Sequence, residues 1–354
     1  MNWLIDRSSN TPPYLQILSH IKEEIRVGHF DGSAPLPSVR EIAERSGASL
    51  STVQKVFYEL KREGLVYSRS GKGVFVASNA DKFTNKIVVF IPSAELSFYA
   101  EILGGIYSAA NSASFEVQVN SLDSPIAWSV RTSELLDRAK DGGAGVIFVE
   151  EASGDLLKKC QSVAKSIPFV TVEWELKNAT SIINDYEKSS CEAIEYLLFK
   201  KKAKSILVLK GRDYQFNSKR KIAGVERAVQ KHRGKLTFAV HFLESDFYPH
   251  SAYLAVKSFL DRNPVDAVFC SNDWEASGVI GALGERGLLV GKDVALVGFG
   301  NYTEKLTSYF PLSTVDQNLP RMGEAAAEAI IRGVRGQKGE KTIVIETTLI
   351  IRKT

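Results

Sequence analysis

Short apolar runs alternate with segments of helical periodicity throughout residues 86–354, and this alternation restricts the fold more than any other feature. A first series of runs is followed by a second, at 87–91, 117–119, 145–149 and 169–172 and then at 206–209, 238–242, 267–270 and 294–297. Strands that alternate with helices form parallel sheets covered by helices on both faces. Two such series predict two doubly wound α/β subdomains, and a single eight-stranded barrel is the alternative that the pattern leaves open.

The N-terminal part, residues 1–77, has a different pattern, in which three helices precede two short strands. An apolar stripe predicts an amphipathic helix over residues 14–27, and two shorter helices lie on either side of Gly47. The strands at 65–67 and 74–76 are joined across a Gly-Lys-Gly turn. This order is typical of an α+β winged helix-turn-helix, whose second motif helix enters the DNA major groove.

The helix after Gly47 is the candidate recognition helix. Its apolar residues recur at helical spacing and predict a buried face, whereas small polar residues and a lysine face outward. Ser49 is placed to cap it by accepting a free backbone N–H. Arginine can grip phosphate or guanine, glutamine can pair with adenine, and a wing glycine permits close approach to the minor groove. The residues predicted to contact DNA are Arg40, Ser49, Ser51, Thr52, Gln54, Lys55, Ser70, Gly71 and Lys72.

Length and composition fit a multidomain protein. At about 100–200 residues per domain, a chain of 354 residues contains two or three domains. The small, polar residues 78–85 are predicted to be a linker. A net charge of +4 is too small for a uniformly basic nucleic-acid binder, so DNA contact must come from a local patch.

Cysteine usage and hydropathy bear on the compartment. Cys160, Cys191 and Cys270 are odd in number and far apart, which fits a reducing cytoplasm and offers no metal site. The first residues lack the pattern of a signal peptide, and no apolar stretch reaches the ~18–20 residues that a membrane span needs. We therefore expect a cytoplasmic protein without a membrane partner, a metal or another cofactor.

A dense motif in the N-terminal part resembles the GntR family of winged-helix regulators. The residues that carry it are 36–43 (LPSVREIA), Ser49, Thr52, Val53, 60–66 and 71–76 (GKGVFV). The resemblance implies that Arg40, the start of the recognition helix and Gly71 lie on the duplex. Leu50 and Gln54 stand where the family commonly has arginine, so the operator sequence is expected to be this chain's own.

Residues 86–354 resemble the LacI/GalR type of effector domain, which is itself similar to periplasmic sugar-binding proteins of type I. The resemblance is clearest at 267–273, 293–299, 311–315 and 322–326, and only loose over 92–165. It implies that the chain crosses more than once between two subdomains and that a sugar or sugar derivative binds between them.

Open α/β sheets bind ligands at the carboxyl ends of their strands, and polar and aromatic residues follow several predicted strands here. The residues predicted to bind the ligand are Phe98, Tyr99, Glu173, Trp174, Arg220, Lys221, Phe247, Asn272, Asp273 and Asn301. The resemblance implies that Asn272 binds a sugar hydroxyl, that Asp273 is more structural, and that Glu173 holds the ligand. An aromatic ring can stack on the apolar face of a sugar, although Phe247 is equally consistent with a core position. For Phe98 and Tyr99 a surface loop is an equal alternative.

The ligand-binding pattern departs from the family at two positions. Lys221 stands three residues before Gly224, where the family has arginine, and Arg220 precedes it. Either Arg220 reaches the ligand, or Lys221 makes a weaker, single-point contact. Gly300 stands where relatives have aspartate, which leaves Asn301 as the possible replacement.

These observations favour a homodimeric repressor of carbohydrate-utilisation genes that binds a pseudo-palindromic, double-stranded operator and responds to a monosaccharide or a derivative of one. A ligand-dependent activator is one alternative. Another is an enzyme in the C-terminal half, such as the pyridoxal-phosphate module that some GntR-headed proteins carry. No GxSxG, HExxH or Walker motif supports an enzyme, and a transport protein does not account for the DNA-binding head.

Overall fold

The N-terminal head folds as three helices followed by a two-stranded hairpin. The computed structural model describes residues 4–6, 9, 11–26, 29–30, 34–63, 65–69, 71–76, 85–92, 97–121, 128–213, 215–301 and 310–354. The head elements are α1 (Pro13–Arg26), α2 (Val39–Ser46), α3 (Leu50–Arg62), β1 (Val66–Arg69) and β2 (Gly73–Val76). β1 and β2 are antiparallel, with Tyr67 opposite Phe75, and form the predicted wing.

Local capping explains why the head helices begin where they do. The Ser38 hydroxyl accepts from the backbone N–H of Glu41, whose carboxylate accepts from the backbone N–H of Ser38, so α2 starts with a capping box. Gly47 ends α2 with a φ of 68°, a left-handed conformation that glycine adopts without strain. The predicted cap of α3 is confirmed, because Ser49 Oγ accepts from the backbone N–H of Thr52 at 3.1 Å.

The helical segments of the head bury one continuous apolar core. Ile17 and Ile21 of α1 pack with Val53, Val56 and Leu60 of α3, all 1 % exposed or less. The opposite face of α3 is left to solvent. The binary pattern of the sequence therefore fixes which face of the recognition helix is available.

The remainder of the chain forms two six-stranded sheets, which confirms two doubly wound subdomains and excludes the single barrel. Subdomain 1 has the strand order β13-β7-β6-β5-β3-β4 and is parallel throughout. Its strands are β3 (Lys86–Ile91), β4 (Glu116–Ser121), β5 (Gly145–Val149), β6 (Phe169–Val172), β7 (Thr180–Asn184) and β13 (Thr342–Ile345). Its helices are α4 (Ser97–Ser112), α5 (Trp128–Gly142), α6 (Gly154–Val163) and α11 (Leu319–Val334).

Subdomain 2 has the strand order β14-β12-β11-β10-β8-β9, parallel except for the antiparallel edge strand β14. Its strands are β8 (Ser205–Lys210), β9 (Ala239–Glu244), β10 (Ala267–Phe269), β11 (Ala295–Gly300), β12 (Ser313–Asp316) and β14 (Thr348–Ile350). Its helices are α7 (Tyr186–Phe199), α8 (Phe216–His232), α9 (Pro249–Leu260) and α10 (Asp273–Gly284). Central strands such as β5 and β11 are buried along their whole length, as expected for strands covered on both faces.

The chain passes between the subdomains three times: from β7 to α7, from β12 to α11, and from β13 to β14. The three crossover segments lie side by side, because the Asn184 amide donates to the backbone carbonyls of Gln317 and Ile345, each at 3.0 Å. α11 packs closely on α4 through Gly323, where an added Cβ would lie 2.0 Å from the backbone oxygen of Ile102. Among the described helices, none has the length and apolar character that a membrane span requires.

Candidate functional site

A row of exposed side chains runs along the free face of α3. Leu50, Gln54 and Tyr58 are four residues apart, so they lie on one side of the helix, and Leu50 and Tyr58 are 50 % and 65 % exposed. Ser51 lies beside them at the helix start, where backbone N–H groups favour an anion such as phosphate. This face presents a branched apolar group, an amide and a phenol to a groove.

Four residues predicted to contact DNA make contacts within the head itself, namely Ser49, Ser51, Thr52 and Lys55. The Ser49 hydroxyl serves the cap of α3 and also lies 2.8 Å from the Thr52 hydroxyl. The Lys55 ammonium lies 3.8 Å from the centre of the Tyr14 ring, so it is directed towards α1. These contacts fix the start of the recognition helix and its position against α1.

Three other residues predicted to contact DNA are exposed at positions outside α3. Arg40 lies in the first turn of α2, and Gly71 and Lys72 lie at the wing tip, where Gly71 has a φ of 70°. Ser70 lies outside the described residues. The head thus offers phosphate and base contacts at three separate points, which are Arg40, the start of α3 and the wing tip.

The second candidate site is the cleft between the subdomains, where the carboxyl ends of strands from both sheets meet. Glu173 follows β6 of subdomain 1 with a φ of 76° and is 4 % exposed. Its Oε1 accepts from the Gln317 amide at 2.8 Å, and its Oε2 accepts from the Asn217 amide at 3.0 Å. Asn217 belongs to α8, so one buried carboxylate joins subdomain 1, a crossover segment and subdomain 2.

The start of α8 makes further contacts with acidic residues of subdomain 1. The backbone N–H of Phe216 donates to the carboxylate of Glu151 at 2.7 Å. The Arg220 guanidinium lies 4.0 Å from the carboxylate of Glu175. The positive end of a helix dipole favours such neighbours. Arg220, the first of the two basic candidates on α8, is therefore half-exposed at the rim of the cleft. It is paired with Glu175, and its guanidinium lies over the Phe216 ring.

Lys221 is the basic residue inside the cleft, at 5 % exposed. Its ammonium donates to the backbone oxygen of Ser271 at 2.9 Å and lies 4.1 Å from the centre of the Phe299 ring. Burial lowers the pKa of Lys221, and the charges of Glu173, Glu275 and Asp273 oppose that change. Of the two options left open by the sequence, this placement favours Lys221 over Arg220 as the ligand contact.

Asp273 is buried, and its carboxylate accepts hydrogen bonds from neighbouring protein groups. Its Oδ1 accepts from the Thr314 hydroxyl at 2.6 Å, and its Oδ2 accepts from the backbone N–H of Asn301 at 2.7 Å. The Asn301 side chain in turn accepts from Arg352 at 2.8 Å. Asp273 thereby ties β12 and the end of β11 to the start of α10.

Asn272 and Phe247 lie together on the subdomain 2 side. Asn272 Oδ1 caps α10 by accepting from the backbone N–H of Glu275 at 2.8 Å, and its Nδ2 donates to the backbone oxygen of Phe247 at 3.1 Å. Phe247 has a φ of 72°, and its ring covers Gly211, where an added Cβ would lie 2.0 Å from Cζ. The Asn272 amide is therefore already used to hold the loop that carries this ring.

The aromatic candidates of subdomain 1 divide between cleft and core. Tyr99 donates to the carboxylate of Glu150 at the end of β5, and Phe98 packs edge-on against the Tyr99 ring at 5.1 Å. Trp174 is 1 % exposed, and its indole N–H donates to the backbone oxygen of Phe148 at 3.2 Å. The structure thus places the Trp174 ring in the core. Glu173 and Trp174 thus lie in different surroundings, the carboxylate at the cleft and the indole in the core.

Several cleft residues were absent from the sequence-based prediction, namely Glu150, Gln317, Trp274, Asn217 and Glu275. Glu150 directly follows a predicted strand, which was an available indication. Burial raises the pKa of Glu150 to about 7, with Glu173 adding to this and the Tyr99 hydrogen bond opposing it. The others lie on helices and crossovers, whose convergence the sequence pattern does not reveal.

Comparison with known proteins agrees with this architecture. Residues 13–76 match the family described as bacterial regulatory proteins, gntR family, and residues 196–354 match the periplasmic binding protein-like domain. The chain is therefore a DNA-binding transcription regulator with a GntR-type winged-helix head and an effector domain of the periplasmic-binding-protein type. This arrangement is similar to that of the arabinose repressor AraR.

Solved structures and curated proteins that are similar to this chain include several regulators. A sugar-binding LacI-family regulator from Enterococcus faecalis is 26% identical with a TM-score of 0.65, over 77% of this chain and 97% of that chain. A LacI-family regulator from Enterococcus faecium with bound ribose is 19% identical with a TM-score of 0.64, over 75% and 97%. The repressor PurR of Pasteurella multocida is 25% identical over 90% of this chain and 98% of its own length.

Proposed function

We propose that this chain is a sequence-specific transcriptional repressor whose DNA affinity is controlled by a small sugar or sugar derivative bound in the cleft. The observation that carries the proposal is the combination of a free recognition face on α3 with a cleft built from the carboxyl ends of two sheets. The relatives support repression, because the curated matches are named transcriptional repressors. The solved structures support a sugar, because two of them contain ribose and D-xylulofuranose.

The crossovers and the Glu173 contacts supply a route from ligand to DNA. Ligand that touches both walls of the cleft binds the closed arrangement more tightly and shifts the population towards it. Closure brings the start of α8 to subdomain 1, where Asn217 and Phe216 make the bridging contacts of the closed arrangement. In a homodimer this rotation changes the separation of the two heads and hence their fit to paired half-sites.

A DNA-binding assay with a thermal-shift screen tests the proposal. Fluorescence anisotropy at physiological salt compares the DNA upstream of the gene with random DNA of equal length, and sedimentation measures the dimer. The screen covers pentoses, hexoses and deoxysugars at about 100 times Kd, where a ligand of the folded state adds about 2.7 kcal/mol. Equal affinity for both DNAs contradicts the role of a sequence-specific regulator. If a sugar binds but leaves the DNA affinity unaltered, the proposed ligand control is wrong.

A further inference from the structure

Two polar groups on the first turn of α10 are buried without a hydrogen-bond partner among the described residues. They are the carboxylate of Glu275, through both oxygens, and the indole N–H of Trp274. Buried polar groups are nearly always paired, so each exception needs an explanation. Trp274 packs against the apolar core of subdomain 1 although α10 belongs to subdomain 2, so this turn faces across the cleft.

Glu275 is the more informative of the two, because its side chain carries charge and is 0 % exposed. Burial raises the pKa of Glu275 to about 7, while the Ser245 hydroxyl, the Lys221 ammonium and the backbone at residues 271 and 272 lie near enough to oppose that change. These neighbours offset part of the cost of burying a negative charge at Glu275. Its oxygens nevertheless retain their capacity to accept hydrogen bonds.

The other buried acids at the cleft are already satisfied by the protein. Asp273 accepts from the Thr314 hydroxyl and from a backbone N–H, and Glu173 accepts from the Gln317 and Asn217 amides. The Lys221 ammonium donates one of its three protons to the backbone oxygen of Ser271, so two remain for another acceptor. Glu275 and Lys221, whose charges act on each other, thus offer an acceptor and a donor.

The charge balance of the cleft restricts the chemical class of ligand that fits it. In the part of the chain that the structure describes, Glu150, Glu173, Asp273 and Glu275 are carboxylates at this edge. Facing them are the buried ammonium of Lys221 and, at the rim, the guanidinium of Arg220, which Glu175 pairs. Like charges brought together in a buried site repel strongly. A hydroxyl group donates to one partner and accepts from another, whereas a phosphate dianion or a carboxylate only accepts.

We propose that Glu275 is a ligand-binding residue that accepts a hydrogen bond from a hydroxyl or amino group, and that the cleft selects uncharged or amino-bearing polyhydroxy ligands and rejects anionic ones. This inference rests on the proposed function. It assigns the unpaired carboxylate of α10 a specificity role alongside Lys221.

Matched ligands test the selectivity on the full chain by calorimetry and thermal shift. The probes are glucose, glucosamine, glucose 6-phosphate and glucuronate, the equivalent galactose series, and ribose and xylose with their 5-phosphates. A neutral or amino sugar is expected to bind, with its anionic counterpart at least about tenfold weaker, the ratio for one charged hydrogen bond. Tighter binding of a phosphate or uronate overturns the inference, and so does the failure of every neutral and amino sugar.

Glu275→Gln tests the residue, with Glu226→Gln on the exposed face of α8 as the matched control. The first variant is expected to bind the sugar about tenfold more weakly or worse, with its ligand-free melting temperature equal or higher, because a buried charge is removed. The control leaves both values unchanged. A lower ligand-free melting temperature with unchanged affinity gives Glu275 a purely structural role and overturns the inference.

Operator binding separates this inference from the proposed function. Anisotropy is measured on the wild-type chain and on both variants without ligand, and all three are expected to prefer the upstream DNA. Anion preference with intact DNA binding overturns only the ligand class. If the wild type does not prefer the upstream DNA over random DNA, the proposed function itself is wrong.

Discussion

The hydrogen bond between Asn217 and Glu173 is expected to hold the cleft closed, so Asn217→Ala opens it. The bond spans the subdomains at 3.0 Å and ends on a carboxylate that is 4 % exposed. Hydrogen bonds to charged groups contribute about 1.5–3 kcal/mol. Opening returns the carboxylate to water, so the lower end applies, and about 1.5 kcal/mol shifts the ratio of open to closed molecules about tenfold.

Single-molecule energy transfer measures this shift. Dyes attached at Glu101→Cys on α4 and Glu226→Cys on α8 report the separation of the subdomains, since both positions are exposed. The native cysteines do not compete for label, because Cys160, Cys191 and Cys270 are buried. The variant should show a larger low-transfer population than the wild type.

Asn263→Ala is the matched control. The Asn263 amide donates to the backbone oxygen of Phe259 at 3.1 Å, within subdomain 2, so its loss costs a hydrogen bond without crossing the cleft. An unchanged distribution for Asn217→Ala, or an equal shift for Asn263→Ala, refutes the role given to the Glu173 contacts.

Three further outcomes follow from the geometry. Arg40→Ala is expected to weaken specific DNA binding by about 1–3 kcal/mol, with the far-ultraviolet dichroism of the head unchanged because Arg40 is exposed; unaltered anisotropy contradicts this. Gly323→Ala is expected to cost at least about 1–3 kcal/mol of unfolding free energy, because its Cβ meets a backbone oxygen of Ile102, whereas the open position Gly104→Ala is the control. Since folding raises the pKa of Glu275 from 4.5 to about 7, the folded state binds the extra proton, and stability falls as pH rises between those values. Glu275→Gln removes that loss, which is on the order of 3 kcal/mol by pH 8, in urea titrations at pH 5 and pH 8; parallel curves for variant and wild type contradict it.

The sequence predicted those features that depend on local periodicity. The buried face of α3, the Ser49 cap and the long central strands all follow from spacing along one element. The strands β7, β12, β13 and β14 were missed. β13 and β14 are sheet edges with partly exposed residues, and their apolar runs, 343–345 and 349–351, are shorter than those of covered strands such as β3 and β5.

The site was predictable only where one residue directly follows a strand. Glu173 and Asn272 were predicted in that way, but the partners of Glu173, which are Gln317 and Asn217, come from a crossover and a helix start distant in sequence. Trp174 was assigned to the cleft because it adjoins Glu173, but its ring is buried in the core next to this residue of left-handed backbone. Backbone handedness at one residue is a tertiary choice that composition does not specify.

The three crossovers also determine how the effector domain is built during synthesis. Subdomain 1 receives its last strand, β13, only after β8 to β12 of subdomain 2 have emerged, and subdomain 2 receives β14 a few residues later. The two sheets are completed only when residues 342–345 and 348–350 have left the ribosome. The two subdomains should therefore mature together and lose their structure in one cooperative step, rather than melt as separate units.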